Sequence, residues 1–474
     1  MRKHLFVLLL CIAYSFKTQA QDSTFFYSAT LLGTASTSQV PFWLSNNQNG
    51  IIPTKGSFAG IKASFHRVYN QNNPRFLQWS GGVEAVGIAG KNSSVFFTDL
   101  FIAGKAGPVE LSVGQRKEMI GLADSSSLTS GSFALSQNYR PYPKIQLSTP
   151  KFVNIIPGND IIGFKFTYSD GILGPSGVHY GNVSSVDETY LHHKAFYLKL
   201  GKRRHKLNLF AGFNHQVIWG GEDKIFTGGL KRSSAYEYVV FGKSWLSSRV
   251  GNHFGTIDLA AEWKGSRWDV FLYRQSIYED GSLSDLSNVA DGLNGLRFKK
   301  KSRPGPSDGI SVNTVLLELI YTKNQGGAVF DFNTSTFGMD DYFNHYVYNR
   351  GWSYKGRTLG SPIIAPQSSF RPELQSSSTL FTPNNRIIAY HLGADISWKD
   401  LNFSLKGTHS VNLGTYRRPF SETLHQTSFI LNAEKSLSAS RKDYLTLSLA
   451  ADIGKLYPNN MAIMVGWRKS GFIR

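Results

Sequence analysis

The sequence predicts an all-β protein: a transmembrane antiparallel β-barrel of the outer-membrane type, with about 18 strands (16–18) and a lumen plugged by long loops. Three observations lead there. Short segments with period-two hydropathy recur along the chain. After residue 20 no run of about 18 apolar residues is present, so no apolar helix is available to span a bilayer. Aromatic residues reach 14% and glycine 46 positions, although average hydropathy is modest. A barrel wall reconciles these features, because half of each strand faces water or the lumen.

Residues 1–20 read as a Sec signal peptide, leaving 21–474 as one barrel domain. Arg2, Lys3 and His4 precede an apolar core over Leu5–Tyr14, and Thr18-Gln19-Ala20 supplies a small-residue cleavage site. Cys11 is the only cysteine and leaves with the leader. A mature chain without thiols has no disulfide and no Cys-ligated metal. Interstrand hydrogen bonds must then hold the fold. Losing Arg2, Lys3 and Lys17 lowers the formal charge from +19 to +16. For an exported chain that balance points to lipopolysaccharide or an acidic polysaccharide rather than nucleic acid.

Taken in order, residues 21–56 suggest a strand or an N-terminal periplasmic or plug element containing Pro41-Phe42-Trp43-Leu44. Strands follow at about 57–68, 76–89, 95–105 and 107–115. From Arg116 to Pro157 the alternation lapses into glycine, serine and proline, as in a loop or a lumen-lining segment. Four hairpins are the clearest elements. Phe196–Leu200 joins Leu207–Phe213 through 201–206. Ile257–Trp263 joins Trp268–Leu272, Leu392–Trp398 joins Leu401–Leu405, and Phe429–Ala433 joins Leu445–Ile453. Short turns belong to the periplasmic side of such barrels and long loops to the outside. Trp263, Trp268 and Trp398 then form a periplasmic girdle. The extracellular connections become 214–253, 276–309, 323–385 and 411–423. In this reading the strand opening at Lys206 loses its period after Phe213, and His215, Gln216 and Trp219 lie at the mouth.

Several motifs, in this order, resemble the Wzi family of capsule assembly proteins in the form found in Bacteroidota. They are Pro41-Phe42-Trp43-Leu44; Ser130-Gly131-Ser132 with Asn138-Tyr139-Arg140-Pro141-Tyr142-Pro143-Lys144; and Phe213-Asn214-His215-Gln216-Val217-Ile218-Trp219-Gly220-Gly221. Tyr278-Glu279-Asp280-Gly281 with Asp291-Gly292-Leu293, and Asn349-Arg350-Gly351-Trp352-Ser353-Tyr354-Lys355-Gly356-Arg357, complete the set. The resemblance covers most of the mature chain. It implies a lectin-like barrel that holds capsular polysaccharide at the cell surface, and a small periplasmic helical element. It supplies no catalytic residue.

Saccharides are read by aromatic faces and planar polar groups, and Arg adds a fork for carboxylates. The outward-running segments offer His215, Gln216 and Trp219; Trp245 and Arg249; Tyr278, Glu279 and Asp280; and Arg350, Trp352, Tyr354 and Arg357. The competing reading for each is a packed, hydrogen-bonded lumen plug. Arg116, Lys117, Glu118 and Arg140 suggest a salt-bridge network in the lumen. His192 and His193 alternate faces of one strand, which disfavours a shared metal. Asn214, His215 and Ser244 offer only an unspecific imitation of a hydrolase site. The sequence therefore implies no enzyme, metal or cofactor, and a monomer at the outer membrane. The alternative to a lectin-like barrel is a porin-like channel or transporter.

Overall fold

In the computed structural model the described residues are 24–70, 73, 75–124, 127–245, 248–279, 287–301, 309–331, 336–375, 379–438 and 442–473. The expected signal peptide and Asp280 lie outside them. One antiparallel sheet closes on itself. Its first strands are β1 (Phe25–Ser36), β2 (Phe58–Arg67), β3 (Leu77–Gly90), β4 (Ser94–Ala106) and β5 (Val109–Gln115). Strand β6 is in two pieces, Lys144–Ser148 and Val153–Ile156, both paired with β7 (Asn159–Gly177). Pro150 lies in the gap, where its missing N–H interrupts the ladder. Then come β8 (Ser185–Leu200), β9 (Leu207–Trp219), β10 (Asn252–Lys264), β11 (Trp268–Tyr278), β12 (Gly292–Lys300) and β13 (Ser311–Tyr321). Strands β14 (Ile387–Trp398), β15 (Leu401–Gly414), β16 (Pro419–Ser438), β17 (Asp443–Gly454) and β18 (Asn460–Phe472) complete the wall. Pairing of Phe26 with Phe472 and of Leu31 with Trp467 joins the last strand to the first.

Counting the divided β6 once, the barrel has 18 strands, as the alternation predicts. Outward positions such as Leu31, Ile61, Leu111, Leu259, Leu272, Leu392 and Val465 are exposed. Inward positions that alternate with the outward ones are polar, including Asp258, Gln275, Glu318 and Lys406. Apolar-out and polar-in is the pattern a bilayer demands of a barrel wall. Trp263, Trp268 and Trp398 border the short turns 265–267 and 399–400, where a membrane-interface girdle belongs.

The two ends of the barrel differ. Both termini of the sheet lie at one end, whose connections are all short; the long connections lie at the other, beside the short turns 91–93, 415–418 and 455–459. Three sequence-based boundaries change. The stretch 276–309 is not one connection, because β12 divides it into a segment at the long-loop end and a turn at the other. The stretch 411–423 shrinks to a tight turn, since β15 and β16 continue through it. The pairing of β9 runs on to Trp219, so His215, Gln216 and Trp219 sit on regular strand rather than in a loop. Period two fails to announce this extension because both faces of the strand are covered there.

The described residues hold three short α-helices: α1 (Phe42–Ser45), α2 (Glu222–Ile225) and α3 (Arg232–Phe241). None is at the short-turn end, so the periplasmic helical element expected from the resemblance is not found among the described residues. With β1 starting at Phe25, the segment that follows it is a plug rather than a periplasmic piece.

Candidate functional site

The long-loop half of the lumen is filled by the described residues of three connections, 37–57, 116–143 and 322–386. Trp43, Leu128, Phe133, Tyr342, Trp352 and Phe370 from these segments are buried in one apolar core with Phe254, Tyr273 and Leu316 of the wall. Polar wall side chains satisfy the backbone that enters with them. Glu318 accepts the Ser130 N–H and the Thr129 hydroxyl, each at 2.7 Å, and also the Tyr273 hydroxyl. Asp258 accepts the Leu122 N–H at 2.7 Å, and Asp452 accepts the Phe42 N–H at 2.9 Å. Gln275 accepts the Phe133 N–H at 3.0 Å. Buried backbone groups away from regular ladders need such partners.

One relay crosses from plug to wall and back. The Trp43 indole N–H donates to the Thr408 hydroxyl at 3.1 Å, and that hydroxyl donates to His391 Nδ1 at 2.7 Å. His391 Nε2 donates to the Leu128 carbonyl at 2.7 Å. The carbonyl can only accept, which assigns the proton to Nε2.

At the base of the 116–143 plug, Arg116 pairs with Glu110 at 2.9 Å. Lys117 meets Glu84 at 2.6 Å and Asp99 at 3.4 Å, and Glu118 pairs with Lys144. Arg140 lies over the Phe96 ring at 3.4 Å. Arg116, Lys117 and Glu118 thus form the salt-bridge network expected of them, whereas Arg140 rests on an aromatic ring instead of joining it.

The sequence-selected residues fall into three groups. The first lies within the plug. Trp352 is fully enclosed and stacks on Phe254 at 5.1 Å. Tyr354 is buried, its ring edge-on to Tyr142. Arg357 donates to the carbonyls of Ser45 (3.0 Å) and Ile52 (2.7 Å) and to the Asn46 side chain (3.0 Å), tying the 353–358 hairpin to the first plug segment. Gln216 faces the lumen and is buried.

The second group lies on the outer face of the wall and in the flap that covers part of it, formed by the described residues of 220–251. In β9, Leu207, Leu209 and Phe213 face outward and are exposed, and the same parity takes His215, Val217 and Trp219 outward. Val217 and Trp219 are buried because α3 covers them, and His215 is buried against His253. Ala235 and Val239, one turn apart on α3, pack against Val217 and Trp219. Gly242, with φ +62, ends α3, and the Lys243 N–H closes it on the Tyr238 carbonyl at 2.9 Å. Trp219 sits between Tyr190 (5.1 Å) and Tyr236 (5.6 Å). His215 Nε2 donates to His253 Nδ1 at 2.9 Å, while His253 Nε2 donates to the Val250 carbonyl at 2.9 Å.

Under the same flap His192 meets Asp170 at 2.9 Å, whereas His193 points into the lumen. Among the described residues no cluster has the makings of a metal site. Tyr278 stacks on Phe213 and donates to the Asn214 carbonyl at 2.5 Å, crossing Gly255 of the intervening strand. Trp245 packs on Phe226 in a two-residue pairing with Ser248–Arg249, and both Trp245 and Arg249 are half-buried.

The flap is fastened to the plug by Glu222. Its Oε1 accepts the Gly220 N–H at 2.8 Å and the Tyr348 hydroxyl at 3.0 Å. Burial holds the Glu222 carboxyl above the usual carboxylate range, against the pull of those donors.

The third group opens to solvent at the long-loop end. Glu279 is half-buried beside the mouth. Arg350 is half-buried and donates to the Thr189 hydroxyl at 2.5 Å and to the Leu173 carbonyl at 3.2 Å. It lines a pocket of about 400 Å³ between the end of β7, the 349–356 segment, 366–368 and 379–381. Asn349, Ser353, Lys355, Gln367 and Ser368 share that lining. Gln367 and Ser368 escape sequence reasoning because no local pattern marks them, and Lys355, although inside the quoted 349–357 motif, is not among the residues selected there; the three meet only through the folding of the 322–386 connection.

With this geometry in view, the family model described as capsule assembly protein Wzi matches residues 55–371. The chain belongs to the Wzi capsule assembly family. The match takes in the plug segment 116–143, the flap, the pocket-forming 349–356 segment and all the motifs quoted above except Pro41–Leu44. A comparison with curated proteins returns no match. Among solved structures, the Wzi chain is similar to OccAB4 of Acinetobacter baumannii, with 9% identity and TM-score 0.48, covering 96% of this chain and 99% of that one. It is similar too to OccD3 (OpdP) of Pseudomonas aeruginosa, with 8% identity and TM-score 0.48, covering 97% and 93%. At such identities and scores the likeness says nothing about ligands. For this Wzi member, barrel, lumen packing and mouth rest on its own geometry.

Proposed function

We propose that this barrel is a non-enzymatic anchor that binds capsular polysaccharide at the cell surface, with its long-loop end outside and its short turns in the periplasm. Membership of a capsule assembly family supports the assignment. The single observation that carries it is the packed plug. An apolar core and a set of wall-to-backbone hydrogen bonds occupy the lumen where a channel would need water. What the molecule offers a long polymer is therefore the surface of the plug and flap.

On this reading Arg350, Trp245, Arg249 and Glu279 reach the polymer, together with the exposed rim of the 353–358 hairpin. His215, Gln216, Trp219, Tyr278, Trp352, Tyr354 and Arg357 act by holding the plug and flap that shape that surface. We place Asp280, which follows Glu279, with the polymer-facing set. The barrel acts as a single copy within outer-membrane lipid and lipopolysaccharide, and we ascribe it to the Bacteroidota form of the family on the order of its motifs.

The test is direct binding. Full-length protein in nanodiscs, titrated with purified capsular polysaccharide of the source cell, retains the polymer. A bilayer recording with steady open pores and no polymer retention would point instead to a porin-like channel.

A further inference from the structure

We propose that the pocket at the long-loop end receives the carboxylate of an acidic sugar residue, so that the polymer this barrel holds is an acidic polysaccharide. The inference rests on the polysaccharide-binding reading above and adds the chemical class of the ligand.

Arg350 carries the argument. Its guanidinium donates to a hydroxyl, Thr189 Oγ1, and to the carbonyls of Leu173 and Gly174. All these acceptors are neutral. Among the described residues Arg350 forms no ion pair, and burial pulls its pKa down to about 10. A half-buried cation with only neutral partners is an uncompensated charge, and an anion brought beside it recovers part of the desolvation cost.

Lys355 adds a second cation. It is exposed at the tip of the 353–358 hairpin and forms no ion pair among the described residues. Lys355 (φ +50) and Gly356 (φ +73) both occupy the left-handed region, the conformation of a tight two-residue hairpin turn. None of the described residues lining the pocket is acidic. The charged side chains that line it, Arg350 and Lys355, are therefore both cations, although acidic side chains lie elsewhere in the flap and plug.

The remaining lining suits a sugar. Asn349, Ser353 and Gln367 supply donors and acceptors for hydroxyls, while Leu173, Pro175 and Phe381 offer apolar walls for ring C–H groups. A volume of about 400 Å³ lies within the range of small-ligand sites. The planar guanidinium favours a carboxylate over a neutral hydroxyl.

The experiment titrates nanodisc-embedded full-length protein with the purified capsular polysaccharide of the source cell, before and after carbodiimide–borohydride reduction of its carboxyl groups. The native polymer binds about ten-fold more tightly than the reduced one, and the difference shrinks with added salt. Lys355→Gln, on an exposed turn, leaves the fold intact and lowers the preference for native over reduced polymer severalfold. Arg350→Gln removes most of the preference. Equal affinity for native and reduced polymer, a polymer devoid of acidic residues, or an unaltered preference in Lys355→Gln each overturns the acidic-sugar assignment while leaving the anchor reading standing. Failure to bind either polymer overturns both.

Discussion

Glu318, on the inner wall of the barrel, accepts the backbone N–H of Ser130 at 2.7 Å, joining residues 188 positions apart in the chain. The same carboxylate takes the Thr129 and Tyr273 hydroxyls. Glu318→Ala strands three donors inside the lumen, each at a cost of roughly 1–3 kcal/mol. The expected outcome is loosening of residues 116–143 while the wall stays closed. Hydrogen exchange then rises in that segment, and single-channel recordings show intermittent conductance in the variant where the parent protein shows none.

Trp352 and Lys355 lie three residues apart and predict opposite phenotypes. Trp352 is fully buried against Phe254, so Trp352→Ala costs on the order of 3–5 kcal/mol of plug stability. Its loss of polymer retention should come with increased hydrogen exchange across the plug. Lys355→Ala, on an exposed turn, changes stability by no more than about 0.5 kcal/mol. Any loss of retention there appears without a change in exchange.

Glu222 makes the docking of the flap pH-dependent. Its folded pKa is raised by burial, so the folded flap favours the protonated form. That contribution is fully present below the unfolded carboxyl value of about 4.3 and is lost as pH rises through the raised folded value. Exchange in residues 220–245, corrected for intrinsic rates, should increase over that rise. In Glu222→Gln, whose amide does not titrate, the profile is flat.

A close contact on the outer wall gives a further check. A Cβ added at Gly255 would stand 2.0 Å from the Tyr278 ring, which crosses that glycine to reach the Asn214 carbonyl. Gly255→Ala should displace Tyr278, costing about 1–3 kcal/mol, and lower the thermal unfolding midpoint. Pairing the substitution with Tyr278→Ala removes the ring's share of the clash and leaves the Asn214 carbonyl oxygen 2.5 Å from the new Cβ, so the two effects are less than additive while part of the cost of Gly255→Ala remains.

Much of the wall was legible in the sequence. Leu405 between Ser404 and Lys406, or Leu447 between Thr446 and Ser448, alternates with polar neighbours because a lipid-facing strand must. The short turns beside Trp263 and Trp398 then set the direction of every strand. The site was less legible, because period two reports faces and not what covers them. Val217 and Trp219 look like the end of a strand, and only the fold shows α3 lying over them. Gln216 and Trp352 are residue types that read sugars, yet they are enclosed. Arg357 ties to Ser45 and Ile52 across more than 300 residues, a pairing no local pattern can encode. The pocket joins Leu173 to Arg350 and Phe381 by the same long-range folding.

The central claim, that this Wzi barrel anchors capsule rather than conducting solutes, is tested most directly by deleting its gene from the source cell. Polysaccharide is then quantified separately on washed cells and in the medium, with the intact gene restored as control. The account predicts that total polymer is maintained while the cell-attached share falls several-fold and the shed share rises, with restoration reversing both. Attachment unchanged by the deletion would contradict it.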